Sequence, residues 1–446
     1  MSALRLWGNE DTIELSRIKR VRGILIAIIA VTSLAPLVFV APDDAPVIVN
    51  VYKYLAKTGA FVGSMLLIWQ FLLGFRGVVS SVFPDLTWVV ELHKWLGQFG
   101  VPIIALHPIF IGLYYGATEG TNIYALDLGD PFSQWVLLGM ITLGVIAFVV
   151  VTSVFFRDRL GFYPWLYTHL SSYLIPPFLF VHSFLLGPTI QHTPMRFYWW
   201  FFAGVVALMY LYRMLHKLGV GSRTYRVTGA REVADSTTEI VMETSTRPFL
   251  PAPGQFVYLR HSLGENSHPY TVSTYDPQRR RLGVTVKEEG EQTARLQEAS
   301  EGLELIVDGP YGVFTRDALA TDLPVVMIAG GIGITPFRRL WETLEQEQSR
   351  EAHLVYGSEY ASDIAYRDEL DALEHVNVVH VLNEEPDFDG ETGTVTIEVL
   401  QRHLPRELSD YQFLICGPPA MILTLEESLH DADVPPDQVT HELFAT

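Results

Sequence analysis

Six long apolar runs alternate with short polar segments in the first half of the chain, at about residues 23–40, 57–75, 93–115, 134–155, 163–187 and 197–215. Each is long enough to cross the hydrocarbon of a bilayer as a helix. Beyond residue 221 the pattern changes. Short strands separated by turn residues are predicted at 238–244, 255–260, 270–273, 282–286 and 303–307, the spacing of a small antiparallel barrel. From residue 323 a strand, a glycine loop and a helix follow, with later strands near 353–356, 376–381 and 411–416. That alternation predicts a parallel sheet flanked by helices. The expected fold is a multidomain membrane protein with a cytoplasmic N-terminal segment (1–22) and a six-helix transmembrane bundle (23–220). An antiparallel β-barrel domain (221–320) and an α/β Rossmann-like domain (321–446) complete it.

Composition supports this division. The 446 residues are 49% hydrophobic and 18% charged, too apolar for an ordinary soluble chain of this length. Residues 1–221 hold 14 Lys+Arg and 11 Asp+Glu, whereas residues 222–446 hold 17 and 39, so the halves carry +3 and −22 of the net charge of −19. An acidic soluble half argues against nucleic-acid partners. Arg17, Lys19, Arg20 and Arg22 precede the first apolar run, which resembles a secretory signal, but no small-residue cleavage pattern follows and a retained helix is expected. Arg76, Arg157, Arg159, Arg213 and Lys217 fall on the same side as that cluster, while residues 116–132 carry Glu119, Asp127 and Asp130 and no Lys or Arg. The N-terminus and the soluble half are therefore expected on the cytoplasmic side of the cell membrane.

Of fourteen histidines, only His93, His107, His169 and His182 lie within or at the edge of apolar runs, as two pairs on the third and fifth. Imidazole without a partner is costly in hydrocarbon. At a rise of 1.5 Å per residue, spacings of fourteen and thirteen positions place the members of each pair roughly 20 Å apart along the membrane normal. Two such helices side by side are arranged to hold two hemes, one near each face. Both runs cross from inside to outside, so His93 pairs with His169 at the inner site and His107 with His182 at the outer one. One difficulty is angular. At about 100° per residue, fourteen positions return to within about 40° of the starting face, whereas thirteen miss it by about 140°. Pro176-Pro177 between His169 and His182 is compatible with a kink or bulge that resets the phase. A proton relay, or core histidines bonded to carbonyls, is the alternative.

Three motifs in the soluble half carry chemistry. His268-Pro269-Tyr270-Thr271-Val272-Ser273 joins a turn to a strand, and Gly309-Pro310-Tyr311-Gly312 lies just past another. The third is the apolar strand 325–329 entering Gly330-Gly331-Ile332-Gly333-Ile334-Thr335-Pro336. Such a loop exposes backbone N–H groups at a helix N-terminus, where a pyrophosphate can sit. Cys416 is the only cysteine, which excludes an intramolecular disulfide and an iron–sulfur cluster; packing at a strand end is a sufficient role for it.

In order, spacing and motifs, residues 20–446 resemble the transmembrane flavocytochrome b family that includes NADPH oxidases and ferric reductases, with a ferredoxin-reductase-type dehydrogenase half. The resemblance implies that His268, Pro269, Tyr270, Thr271 and Ser273 hold FAD, His268 toward the phosphates and Thr271 near flavin N5. It implies further FAD contacts from Lys287, Gly290 and Thr293, the last beginning a helix, and from Gly309, Tyr311 and Gly312. Gly330, Gly331, Gly333, Thr335 and Pro336 match the nicotinamide-dinucleotide loop. Cys416-Gly417-Pro418 matches the strand end near the nicotinamide, and Phe444 the terminal aromatic that covers the flavin. Thr271, Cys416 and Phe444 would then stand closest to the chemistry.

The implied activity is transfer of electrons from cytoplasmic NADH or NADPH through FAD and two b hemes to an acceptor outside. Oxygen, giving superoxide, is the favoured acceptor, with a ferric chelate or a periplasmic partner as alternatives. Lys53, Lys57, His192 and Arg196 could hold an anionic acceptor by charge, or serve as ordinary interface anchors. Ser358 and Glu359 follow the strand ending at Tyr356, where the adenosine ribose is expected; a carboxylate there repels a 2′-phosphate and favours NADH, unless it points into solvent. A nucleotide-sensing proton or ion transporter with a histidine relay is the reading from another class.

Overall fold

A computed structural model describes residues 11–79 and 86–443. It divides into a membrane unit, Lys19–Leu215, and a soluble unit that begins at His216. Among the described residues six helices are long and apolar enough to cross a membrane: α1 (Arg20–Phe39), α2 (Val47–Leu73), α3 (Trp88–Thr118), α4 (Pro131–Val154), α5 (Pro164–Leu186) and α6 (Met195–Lys217). The second begins ten residues before the expected boundary. Lys53 lies inside it and is tolerated because its ammonium is 2.5 Å from Asp43 Oδ1. The Lys53 ammonium and the Tyr114 hydroxyl hold the Asp43 carboxyl below its ordinary range.

Two interiors hold the bundle. Leu25, Ile29, Leu73, Val89 and Leu96 join α1, α2 and α3, and Phe61, Met65, Ile68, Phe180, Trp199 and Phe202 join α2, α5 and α6. Lipid offers no hydrophobic drive for helix association, so polar contacts contribute directly. Trp199 donates to Ser183 Oγ (2.7 Å) and Trp69 to Thr32 Oγ1 (2.8 Å).

α5 is not one regular helix. A 3-10 segment, Ser171–Leu174, separates its two α-helical parts, and Pro176-Pro177 fall in the first turn of the second. Proline costs little there, because the first N–H groups have no intrahelical partner. Four residues at about 120° each add roughly 80° of winding and reduce the angular mismatch between His169 and His182 from about 140° to about 60°. The tightened turn that the prolines follow, and not a bulge at the prolines, accounts for the phase.

The soluble unit opens with a closed antiparallel barrel in the order β1-β2-β5-β4-β3-β6, formed by β1 (Arg223–Ala234), β2 (Thr237–Glu243), β3 (Phe256–Arg260), β4 (His268–Asp276), β5 (Arg281–Lys287) and β6 (Glu304–Tyr311). The long β1 escaped the sequence pattern because bulges interrupt its pairing with β2 and most of its side chains reach solvent. α7 (Glu291–Gln297) lies between β5 and β6.

The nucleotide-binding domain is a six-stranded parallel sheet in the order β10-β9-β8-β7-β11-β12, built from β7 (Val325–Gly330), β8 (Ala352–Ser358), β9 (Val376–Leu382), β10 (Glu391–Thr392), β11 (Gln412–Gly417) and β12 (Val439–Leu443). Helices α8 (Thr335–Glu347), α9 (Arg367–Asp371), α10 (Ile397–His403) and α11 (Pro419–Asp431) connect the strands. One face buries Phe337, Leu340, Trp341 and Leu344 of α8, and the other buries Val399, Leu400, Ile422 and Leu425 of α10 and α11. β7 is buried at every position, as expected of a central parallel strand covered on both faces. Five-residue β12 is too short to show a pattern, yet it extends the sheet beside β11.

Candidate functional site

The four membrane histidines stand as two facing pairs. Ring centroids are 6.2 Å apart for His93 and His169 and 6.3 Å apart for His107 and His182. Two imidazoles that clamp one metal through Nε2 at ~2 Å each place their centroids roughly 6 Å apart. Neighbouring helices fix each ring. Gln70 O lies 2.8 Å from His93 Nδ1, Ala56 O 3.3 Å from His107 Nδ1, and Trp135 O 2.8 Å from His182 Nδ1. Ser153 Oγ lies 3.1 Å from His169 Nδ1 and also accepts from Trp165 Nε1 (3.2 Å). A ring that donates through Nδ1 presents the Nε2 lone pair to a ligand. The donor set therefore fits hemes clamped by His93 with His169 and by His107 with His182. Among the described residues no group of three or more metal-ligating side chains occurs, so each site offers two nitrogens.

Ala56 and Gln70 are separated by fourteen residues, like His93 and His107, so antiparallel α2 supplies one carbonyl to each histidine of α3. Close approach makes this possible. α2 contains a π-helical segment, Gly59–Gly63, and a Cβ on Gly59 would lie 2.4 Å from the His107 backbone nitrogen. On α4, a Cβ on Gly139 would lie 2.5 Å from the His182 ring.

In the barrel, the flavin motif runs along β4. Thr271 pairs with Phe256, Tyr270 with Val257, Pro269 with Tyr258 and His268 with Leu259. Burial holds the His268 imidazole below its ordinary pKa, hence neutral at pH 7. Thr271 Oγ1 is shielded from solvent and has no hydrogen-bond partner. A buried hydroxyl left open in this way fits a flavin contact. Ser273 Oγ instead donates to Glu239 Oε1 (3.0 Å). Gly309 and Tyr311 lie within β6, not past its end, and the Tyr311 hydroxyl donates to Asp308 Oδ1 (2.9 Å). Gly312 follows with φ +97°, its α-carbon facing the Phe256 ring.

Two implied flavin contacts are placed differently. Thr293 is the third residue of α7, whose N-cap is Gly290. Its Oγ1 accepts from the Glu289 and Gly290 N–H groups (both 2.9 Å) and donates to Gly290 O, so the hydroxyl closes its own helix start. Lys287 lines a small cleft with Gly331, Ile332, Tyr356, Asp235 and Asp363. That position points it to the dinucleotide side of the barrel.

The glycine loop leaves β7 through a 3-10 turn, Gly331–Ile334, and α8 starts at Thr335 with Pro336 in its first turn. Gly331 has φ +53° and open space where a Cβ would stand, so the loop presents bare backbone. A Cβ on Gly333 would lie 2.2 Å from Cys416 O. Gly417 and Pro418 complete the crevice: Pro418 Cδ is 2.7 Å from where a Gly330 Cβ would stand. Ser358, at the end of β8, is buried beside the Tyr356 hydroxyl, and Glu359 next to it is exposed. Phe444 lies outside the described residues.

Cys416 departs from its expected role. Its thiol packs in the core with Ala329, Ile334 and Phe337, and burial raises its pKa well above the ordinary value. Its carbonyl, not its thiol, faces the glycine loop. Glu442, which the sequence reading missed, pairs in register with Cys416 across β11 and β12. Its Oε2 is shielded and unpartnered, and burial pushes the carboxyl up to about 8. The folded chain therefore holds a proton that the unfolded chain has released, and stability falls as pH rises from about 4.5 to about 8. Glu442→Gln removes this slope. Thermal melts of the full chain should show the variant gaining on the native protein between about pH 6 and about pH 8; parallel curves would contradict the assignment.

Comparison with known proteins identifies the domains that carry these residues. Residues 59–180 match the family described as ferric reductase like transmembrane component, residues 223–315 an FAD-binding domain and residues 327–427 an oxidoreductase NAD-binding domain. The chain is 30% identical over 230 residues to NADH--cytochrome b5 reductase 1 of Arabidopsis thaliana, covering 48% of this chain and 82% of that protein. It is 32% identical over 169 residues to NADH-cytochrome b5 reductase 1 of Candida albicans, covering 36% of this chain and 57% of the relative. The FAD/NAD-binding domain of nitric oxide dioxygenase from Vibrio cholerae aligns with a TM-score of 0.46 at 20% identity, over 51% of this chain and all of that domain. An integral membrane part, an FAD barrel and an NAD-binding sheet in one polypeptide make this chain a member of the flavocytochrome b/ferric reductase family of NAD(P)H-dependent, FAD-containing oxidoreductases.

Proposed function

We propose that the protein carries electrons from NAD(P)H on the cytoplasmic side of the cell membrane to an acceptor on the outer side, with oxygen as the acceptor and superoxide as the product. The facing histidine pairs at 6.2 and 6.3 Å, on two levels of the same two helices, carry this reading. Bound FAD would split the hydride's electron pair into single electrons, and two bound hemes would conduct them across the hydrocarbon. The chain's own residues bind and orient. The Gly330–Gly333 turn and the start of α8 offer backbone N–H groups to the pyrophosphate, with Lys287 facing the same cleft. The shielded Thr271 hydroxyl and the His268 imidazole, whose pKa burial lowers, are the β4 groups that would contact FAD.

At the outer end, Lys53 is neutralised by Asp43, whereas Lys57 stands over the Phe61 ring at 5.6 Å and makes no ion pair among the described residues. An ammonium held this way supports binding of a small anionic product or chelate. Reduction of a ferric chelate is the second reading, supported by the match of residues 59–180 to the ferric reductase like component.

The test is spectroscopic. Purified protein should show a Soret band that shifts when NADH or NADPH is added without oxygen, and returns when oxygen is admitted. Protein without heme would defeat the proposal in favour of a relay or transporter; reoxidation by ferric chelate but not by oxygen would select the second reading.

Glu359 bears on nucleotide choice. It is exposed just past β8. Its carboxylate disfavours a 2′-phosphate. The native protein should use both nucleotides with a modest preference for NADH, and Glu359→Arg should lower KM for NADPH by about tenfold, in line with a charge-assisted bond of roughly 1.4 kcal/mol. An unchanged native preference for NADPH in matched titrations would place Glu359 away from the ribose.

A further inference from the structure

We infer that Arg338 is a positioning residue that sets the flavin strand against the nicotinamide loop, an assignment that rests on the reading of hydride transfer from NAD(P)H to FAD. Arg338 lies in the first turn of α8, three residues after Thr335. Its side chain is only 8% exposed. Nη1 donates to the backbone carbonyl of Ser273 at 3.0 Å, while Nε and Nη2 donate to Glu369 Oε2 at 3.1 and 2.9 Å. The guanidinium also stacks over Tyr366 at 4.7 Å, and the Tyr366 hydroxyl bonds Thr285 of β5. Ser273 is thus gripped twice, at its carbonyl by Arg338 and at its hydroxyl by Glu239.

The position of this grip matters more than its strength. Ser273 stands two residues along β4 from Thr271, which the proposed reading places at the flavin. Arg338 stands at the start of the helix whose preceding turn holds the dinucleotide. One planar group, carried by α8, therefore joins the two half-sites through a single hydrogen bond to the β4 backbone, so any slack in it moves donor and acceptor carbons relative to each other. A buried charge needs partners: Glu239 lies 3.8 Å away, while Glu369, accepting from both Nε and Nη2, orients the fork whose Nη1 reaches Ser273 O.

Arg339 supplies an internal comparison. It too leaves α8 for the barrel side, donating to Pro251 O at 2.9 Å and lying 5.3 Å from the Tyr275 ring. It holds the same two domains together but does not touch the flavin motif.

The experiment is anaerobic stopped-flow reduction of the bound FAD by NADH in the full-length protein, native and variant. Arg338→Lys keeps the charge for Glu369 and loses the fork. It is expected to retain FAD, to lower the limiting reduction rate by at least about tenfold with less than about threefold change in apparent Kd, and to alter the visible circular dichroism of the flavin, because small misplacements of reacting atoms cost rate before affinity. Arg339→Lys should stay within about twofold of the native limiting rate. If Arg338→Lys does not keep FAD, Glu369→Gln replaces it, weakening the two bonds that orient the guanidinium by removing their charge, with slowing of the same limiting rate expected. The inference is overturned by a native limiting rate in the FAD-loaded variant, by a loss confined to Kd, or by equal slowing in Arg339→Lys, which would make both arginines general domain contacts. Failure of NADH to reduce native flavin that dithionite does reduce would instead defeat the underlying reading.

Discussion

Replacing His107 or His182 by alanine should remove one of two hemes, stop product formation on the outer side, and leave reduction of FAD by NADH at its native rate. Each imidazole is one of two ligands to its site, and the facing ring, 6.3 Å away by centroid, cannot supply both. The inner pair has its own supports, Gln70 O and Ser153 Oγ, which share no residue with those of the outer pair. Loss at one level should therefore spare the other. Heme content per FAD should fall to about half by pyridine hemochrome assay, with external superoxide or ferrous product down by about a hundredfold or more. Gly139→Val should give the same phenotype without touching a ligand, since its Cβ would stand 2.5 Å from the His182 ring. Loss of the inner heme alone in His107→Ala would overturn the pairing.

Gly333→Ala should abolish hydride transfer while FAD and heme remain bound. The added methyl carbon would lie 2.2 Å from Cys416 O and 2.6 Å from its carbonyl carbon, atoms of a central strand flanked by β7 and β12. A flexible side chain could yield; backbone in the middle of a sheet cannot. The loop must lift, and with it the N–H groups at the start of α8. Flavin reduction by NADH should slow by about a hundredfold or more, chiefly through nucleotide affinity. Near-native reduction kinetics in the variant would show that the nucleotide is held elsewhere.

The histidine pairing was legible from spacing taken with the common direction of the third and fifth spans, because hydrocarbon admits few unpartnered imidazoles; the phase of the thirteen-residue interval was not. Nor were the supports of the histidines. Ala56, Gln70 and Trp135 act through carbonyl oxygens, which every residue possesses, so no residue type marks them. Lys287 illustrates a related limit: its strand was visible, but the cleft it faces joins residues from both soluble domains. Glu442 was overlooked because a carboxylate near the end of an acidic chain reads as solvated until β12 is seen lying beside β11.

What the chain determined by itself is what depends on local periodicity and residue chemistry: the apolar spans, the histidine intervals, the glycine turn between strand and helix. These survive without knowledge of neighbours, since bilayer thickness, helical pitch and backbone sterics are the same everywhere. Tertiary structure decided the rest. It set the phase of His182 through a 3-10 turn, moved Thr293 into a cap, buried the Cys416 thiol and joined Arg338 to Ser273. Each of these depends on which groups meet across long sequence separations, and burial, hydrogen bonding and charge are settled only when they do.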